Sequence, residues 1–325
     1  MYPFAYRHAR DEQSALAMAA PDSRYIAGGT TMVDLMRQTV ERPNSLVDIT
    51  ALPYRDIQVD ARGVHIGALV TMTDLAADPQ VRAGYPVVSQ SLELSASAQL
   101  RNMATMGGNL LQRTRCFYFR DVTAPCNKRN PGSGCPALTG TNRTHAILGG
   151  SSHCVATHPS DVAVALVALD ATVDMVSAQG RRTMPVADLF LLPDSTPDRE
   201  HPLRPGELIT RLHIPAGPHT ARSGYLKVRD RVSYEFALAS AAVALDIRDH
   251  RIHDARVAVG GVATIPWRLP AVERALVGRA PGAQTWTTAA ALAADGAQPL
   301  AQNGFKAELL VRTVARQLAT IGGMP

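Results

Sequence analysis

Cys116, Cys126, Cys135 and Cys154 are the only cysteines of a 325-residue chain, separated by nine, eight and eighteen residues. Four thiols drawn from one short stretch suit a metal ion or an iron–sulfur cluster, because reducing compartments keep thiols free for ligation. None forms the Cys-x-x-Cys of ferredoxins or zinc ribbons, so spacing leaves three readings open: a metal or cluster, free buried thiols, or a disulfide pair. His145, His153 and His158 lie near enough to be zinc ligands, although loop histidines more often face solvent. The same stretch holds Arg113, Arg115, Arg120, Lys128, Arg129 and Arg143. These cations would offset the negative charge of four thiolates, or merely solvate a loop or meet an acidic partner.

Two glycine loops are the second chemical feature. Ile26-Ala27-Gly28-Gly29-Thr30-Thr31-Met32-Val33 joins a strand to a helix. A glycine turn there lets backbone N–H groups approach a phosphate, and Thr30 and Thr31 add hydroxyl donors. The pattern is not Gly-x-Gly-x-x-Gly, and Gly-Gly also occurs in ordinary turns. The second loop, Thr105-Met106-Gly107-Gly108-Asn109, follows Arg101-Asn102 and sets polar groups beside glycines that could hold a diphosphate or ribityl chain. Its plain alternative is a glycine-capped helix end. Together the loops point to a large dinucleotide-type ligand. Gly-x-Ser-x-Gly, His-Glu-x-x-His and Walker sequences are absent, and no acid–base dyad emerges, so no catalytic residue is assigned.

The elements that must position these groups read as two domains. The segment 1–55 is a small α/β unit: a helix from Glu12 to Ala20, a strand at Arg24 to Ala27, a helix from Thr31 and a strand at Ser45 to Ile49. A second unit, 56–218, has a strand at Gly63 to Leu69, a capped helix from Thr73, and helices over Tyr85 to Ala98. It continues with an apolar helix at Asp161 to Leu169 and strands at Ala171 to Val176 and Leu208 to Ile214. An insertion at about 110–158 loses all periodicity, and so long a loop within a compact domain needs something other than an apolar core to order it. A C-terminal domain, 219–325, alternates strands (Gly224 to Val228, Ala255 to Gly261) with helices (Ala237 to Ala244, Pro270 to Leu276, Ala307 to Ile321).

Composition narrows the class. Hydrophobic residues make up 46% and charged residues 19%, a globular balance, and the net charge of +5 is spread without aromatic interleaving. That argues for a solvated basic surface and no nucleic acid. No run of about 18 apolar residues or basic-then-apolar start is present, so neither a membrane span nor an export signal is expected.

With these residues in view, the chain resembles the FAD-binding subunits of the xanthine dehydrogenase, or molybdenum hydroxylase, family. That family carries an early Ala-Gly-Gly-Thr loop and a later Gly-Gly-Asn loop preceded by Arg-Asn. Further likeness lies in Gly63-Val64-His65-Ile66-Gly67-Ala68-Leu69, Ser160-Asp161, Gly206-Glu207-Leu208-Ile209, Tyr225-Leu226-Lys227-Val228-Arg229 and Val259-Gly260-Gly261-Val262-Ala263 with Pro266 and Arg268. The resemblance implies an α+β fold: a vanillyl-alcohol-oxidase-type (PCMH) FAD-binding domain of two α/β subdomains, then a small carbon-monoxide-dehydrogenase-flavoprotein-like domain.

The resemblance also implies roles. Ile26, Ala27, Gly28, Gly29, Thr30, Thr31, Met32 and Val33 would hold the diphosphate of FAD; Thr105, Gly107, Gly108 and Asn109 would form the second loop. Asp161 would bond a ribose or ribityl hydroxyl, and Ile209 and Lys227 would line the flavin end. Plainer roles remain for the last three: Asp161 as a helix cap, Lys227 as a surface strand residue, Ile209 as core. The insertion between Asn109 and Ser160 resembles that of the aldehyde oxidoreductase and hydroxybenzoyl-CoA reductase members, closest to the periplasmic aldehyde oxidoreductase. It implies a 4Fe-4S cluster on Cys116, Cys126, Cys135 and Cys154. The implied partners are a large molybdenum-cofactor subunit, a small 2Fe-2S subunit, in a heterotrimer or its dimer, and an external electron acceptor. The compartment stays open, since export with a signal-bearing partner is possible. A self-contained flavin oxidase with structural zinc, and a non-enzymatic assembly subunit without flavin, are the rival readings.

Overall fold

The computed structural model describes residues 1–323 as three sheets and the helices that cover them. The first sheet is parallel: β1 (Ala5–His8), β2 (Ser23–Ile26) and β3 (Ser45–Asp48) lie in the order β1-β3-β2. β2 runs into the first glycine loop, and the short helix Met32–Arg37 follows it. The second sheet comprises β4 (Ile57–Asp60), β5 (Gly63–Gly67), β6 (Thr172–Ser177), β7 (Gly180–Pro185) and β8 (Leu208–Pro215), antiparallel in the order β4-β5-β8-β6-β7. The third, also antiparallel, is β12-β11-β10-β9, built from β9 (Ser223–Val228), β10 (Ala239–Arg248), β11 (Arg251–Gly260) and β12 (Trp267–Arg268).

The expected elements of 1–218 are present to within a few residues at their ends, and the strands β1, β4 and β7 are additional. β1 carries exposed side chains throughout, so it has no apolar alternation to betray it. The insertion holds only the helical turns Phe117–Arg120 and Pro136–Leu138.

One element is corrected. The alanine-rich segment expected to be a helix at 237–244 is the strand β10. Alanine favours helix when nothing else decides, but here both faces of the strand are covered. Ala242 and Ala244 face the core of the second sheet, while Ala239, Ala241, Val243 and Leu245 face the C-terminal core and the helix Phe305–Gly322. The strand alternates between two apolar surroundings, so its period of two is invisible in the sequence. Small side chains also let the helices Asp161–Ala168 and Phe305–Gly322 approach the sheet from opposite sides.

Ala242, Ala244, Ala258 and Tyr225 from the third sheet share one core with Val64, Ile66, Leu166 and Leu212. Burial of this apolar surface is what docks the C-terminal sheet on the rest and brings β9 to the mouth of the cleft described next.

Candidate flavin site and the cysteine-bearing insertion

A cleft of about 1100 Å³ opens where the three sheets meet. Both glycine loops form its wall. Every residue from Ile26 to Val33 lines it, as do Thr105, Gly108, Asn109, Asp161 and Lys227. The loops touch: a Cβ on Gly28 would stand 1.7 Å from the Met103 carbonyl oxygen, so only glycine lets them close on each other. Gly29 adopts a left-handed φ of 70°, which turns the chain into the helix Met32–Arg37. No acceptor among the described residues takes the N–H groups of Gly28, Gly29, Thr30 or Thr31. A row of free amide donors and a glycine-made close approach fit an extended diphosphate ligand.

The second loop is a helix start rather than a helix end. Thr105 caps the helix Met106–Leu110, accepting from the Gly108 N–H at 3.4 Å. Asn109 is locked from three sides: its Oδ1 accepts from Ser160 Oγ at 2.5 Å and Gln112 Nε2 at 3.1 Å, and its Nδ2 donates to Met72 Sδ at 3.3 Å. Ser160 in turn caps the helix Asp161–Ala168. Thus the second loop and the start of that helix move as one piece. Two residues expected at the ligand lie off the wall. Gly107 faces Ala68, whose Cβ would be 3.0 Å from a Cβ added there, and Ile209 is 5% exposed within the core. β8 presents alternate residues to opposite faces, and Ile209 falls on the apolar one.

Asp161 and Lys227 form a buried ion pair. Lys227 Nζ donates to Asp161 Oδ2 at 2.7 Å and to the Leu94 carbonyl at 3.1 Å. Tyr225 Oη donates to Asp161 Oδ1 at 2.8 Å and Ser95 Oγ to Oδ2 at 3.0 Å. Burial and the neighbouring Asp161 charge hold the Tyr225 phenol far above its usual range, so it stays a donor. Three donors leave one of the roughly four acceptor sites of the carboxylate for a ligand hydroxyl. Arg113, Glu200 and Phe236 also line the cleft; the sequence marked Arg113 only as a cation of the insertion and did not single out the other two.

The four cysteines are free thiols lining one small cavity within the insertion, together with Lys128, His145 and His153. His158 stays outside it, half-buried against Phe190. Asn127 closes the loop between two of the thiols: its backbone N–H donates to the Gly134 carbonyl at 2.8 Å, and its Oδ1 accepts from the Gly134 N–H at 2.7 Å. The Arg129 guanidinium gathers the carbonyls of Tyr118, Phe119 and Ala124, which braces the turn after Cys116. Burial pushes the Cys116 thiol up to about 12 and raises Cys135 and Cys154 as well. Thiols in this state bind metal only by releasing protons. Burial also pushes His145 down to about 4, with Lys306 adding to the effect.

The expected screen of six cations reduces to one. Arg113 pairs with Glu41 and Glu200, Arg115 and Arg120 pair with Asp34, Arg143 pairs with Asp230, and Arg129 is spent on carbonyls. These bonds anchor the insertion to its surroundings. Lys128 alone of the six lines the cavity, where its charge favours ionisation of Cys154, although it too is paired, with Glu200.

Comparison with known proteins agrees with this geometry. The family described as the FAD binding domain in molybdopterin dehydrogenase matches residues 2–217, and the CO dehydrogenase flavoprotein C-terminal domain matches residues 224–321. The chain belongs to the FAD-binding subunits of the molybdenum hydroxylase family. Among its relatives, the aldehyde oxidoreductase FAD-binding subunit PaoB of Escherichia coli (strain K12) is 47% identical over 95% of this chain and 94% of its own length. The carbon monoxide dehydrogenase medium chain of Hydrogenophaga pseudoflava is 25% identical over 82% of this chain and 76% of its own. In fold, the chain is similar to quinoline 2-oxidoreductase from Pseudomonas putida 86, with a TM-score of 0.77 at 23% identity, covering 99% of this chain and 97% of that one. Members of this family bind FAD and serve electron transfer within an oxidoreductase complex, and the cleft suits that cofactor. Among the described residues no helix is long and apolar enough to cross a membrane.

Proposed function

We propose that this chain is the FAD-binding subunit of an aldehyde-oxidising molybdenum enzyme, with a 4Fe-4S cluster on Cys116, Cys126, Cys135 and Cys154. The observation that carries the cluster is the convergence of four thiols, scattered in sequence, on one cavity. Four thiolates are the ligand set of a cubane, one to each iron. The aldehyde substrate rests on the likeness to PaoB.

FAD supplies the redox chemistry when bound, and the chain supplies binding and orientation. The amides of Gly28 to Thr31 would hold the diphosphate, with Thr105, Gly108 and Asn109 shaping the other side of the cradle. Asp161, paired with Lys227, would accept from a sugar or ribityl hydroxyl. Substrate is oxidised in a large molybdenum-cofactor subunit, and electrons come through a small 2Fe-2S subunit to this chain and leave to an external acceptor. No residue here has to act as acid or base.

Iron, acid-labile sulfide and flavin are to be measured per chain on anaerobically purified protein and on Cys126→Ser. About four irons and four sulfides beside one FAD, with iron lost in the variant, support the proposal. Zinc, or no metal, in the native chain would remove the cluster and leave the flavin site standing.

A further inference from the structure

The cysteine cavity holds one polar side chain aimed at a thiol. His145 Nε2 lies 3.2 Å from Cys116 Sγ. The imidazole is 2% exposed, and its Nδ1 is buried without a hydrogen-bond partner among the described residues. The aromatic rings of Phe117 and Tyr118 flank it, at centroid distances of 5.9 and 6.3 Å. Its backbone is clamped from the C-terminal domain: the His145 carbonyl accepts from Lys306 Nζ at 3.0 Å and Asn303 Nδ2 at 3.2 Å. Lys306 Nζ also donates to the carbonyls of Thr144 and Gly261, so a fully buried side chain staples the insertion to the turn that follows β11.

We infer that His145 tunes the redox potential of the cluster by donating its Nε2 proton to the Cys116 sulfur. The inference rests on the cluster proposed above. A cysteine bound to iron is a thiolate and has no proton to give, so a contact at this distance is satisfied only with the imidazole as donor. While one electron enters from an iron–sulfur donor of the complex, His145 keeps its proton and none is transferred. The added negative charge is shared with the cysteine sulfurs, so the N–H dipole stabilises the reduced state more than the oxidised one. Such hydrogen bonds are one of the levers that set cluster potentials. In this dry pocket the bond is stronger than it would be in water. Lys306 and Asn303 act one step further out, fixing the backbone that aims the ring.

The test is an EPR-monitored redox titration of the assembled enzyme, comparing native protein with His145→Phe and His145→Gln. His145→Phe keeps the iron content and moves the midpoint of this cluster to lower potential; His145→Gln, which retains an N–H donor, recovers part of the shift. In parallel, the native enzyme exchanged into D₂O shows a shift of its Fe–S stretching bands by resonance Raman. An intact cluster with an unmoved potential in His145→Phe would overturn the inference while sparing the cluster. Should His145→Phe lose its iron, the deuterium experiment decides, and bands insensitive to D₂O refute the hydrogen bond. A native chain without iron removes both the cluster and this role.

Discussion

Lys128 Nζ lies 3.1 Å from a Glu200 carboxylate oxygen, and the two residues belong to different sites: Lys128 lines the cysteine cavity and Glu200 lines the flavin cleft. Arg113, itself on the cleft wall, holds the other oxygen. Burial pushes the Glu200 carboxyl up, yet Lys128 and Arg113 together outweigh it and keep it below its usual range. With Glu41 on the far side of Arg113, two carboxylates thus balance two cations in the partition between the proposed cluster and the flavin.

Glu200→Gln leaves both cations without that charge in a pocket where Lys128 is 10% and Arg113 21% exposed. Removing one partner of a buried pair costs on the order of 3 kcal/mol. Thermal unfolding of the assembled enzyme, followed by flavin release, is expected to shift to lower temperature. An unchanged midpoint would mean that water reaches the cations and the partition is wet.

Gly28→Ala tests the contact between the two loops. Its Cβ would overlap the Met103 carbonyl, so one loop has to retreat. Overpacking of this kind costs about 1–3 kcal/mol, which at the cleft translates to FAD binding about 5- to 150-fold weaker. Equilibrium dialysis of flavin against the apo-flavin enzyme reads it directly. Native affinity in the variant would show that the loops need not touch to hold FAD.

His158 predicts a loss of stability in acid. Burial pushes its pKa down to about 3, His201 and Lys128 add to this, and Glu200 opposes it. In the unfolded chain it titrates near 6.5. Between those values the unfolded state binds a proton that the native state does not, so stability is complete above the upper value and falls as pH drops through the window. The slope for one such group is about 1.4 kcal/mol per pH unit. Denaturant midpoints taken from pH 7 to pH 5 are expected to fall, and to fall less steeply in His158→Gln. Equal slopes would assign the acid sensitivity to other groups.

Several of these relationships were hidden in the sequence for physical reasons. The two glycine loops and the four cysteines were legible because residue type alone marks them. How the thiols are brought together was not, since turns built by Asn127 and Arg129 fold the insertion and neither residue has a distinctive pattern. The cations near the cysteines looked like a screen for negative charge, but Asp34, Glu41, Glu200 and Asp230 lie far away in sequence and claim most of them. β10 read as a helix because alanine on both faces erases alternation. Gly107 and Ile209 were implied by the resemblance alone, and in the structure a helix start and a strand pleat set them off the cleft wall.

The Asp161–Lys227 pair carries the last prediction, because β9 supplies the lysine and the helix Asp161–Ala168 supplies the carboxylate. The side chains are 7% and 1% exposed, so neither charge is solvated from outside. Lys227→Met strands the carboxylate with only the Tyr225 and Ser95 hydroxyls as donors, and a cost of about 3–5 kcal/mol is expected. Adding Asp161→Asn removes the orphaned charge, so the double variant should be more stable than Lys227→Met alone, an interaction that a double-mutant cycle isolates. Its flavin content then separates two roles for Asp161. If the stabilised double variant still loses FAD, the carboxylate contacts the cofactor; if FAD is retained, the pair serves only to dock the C-terminal sheet beside the cleft.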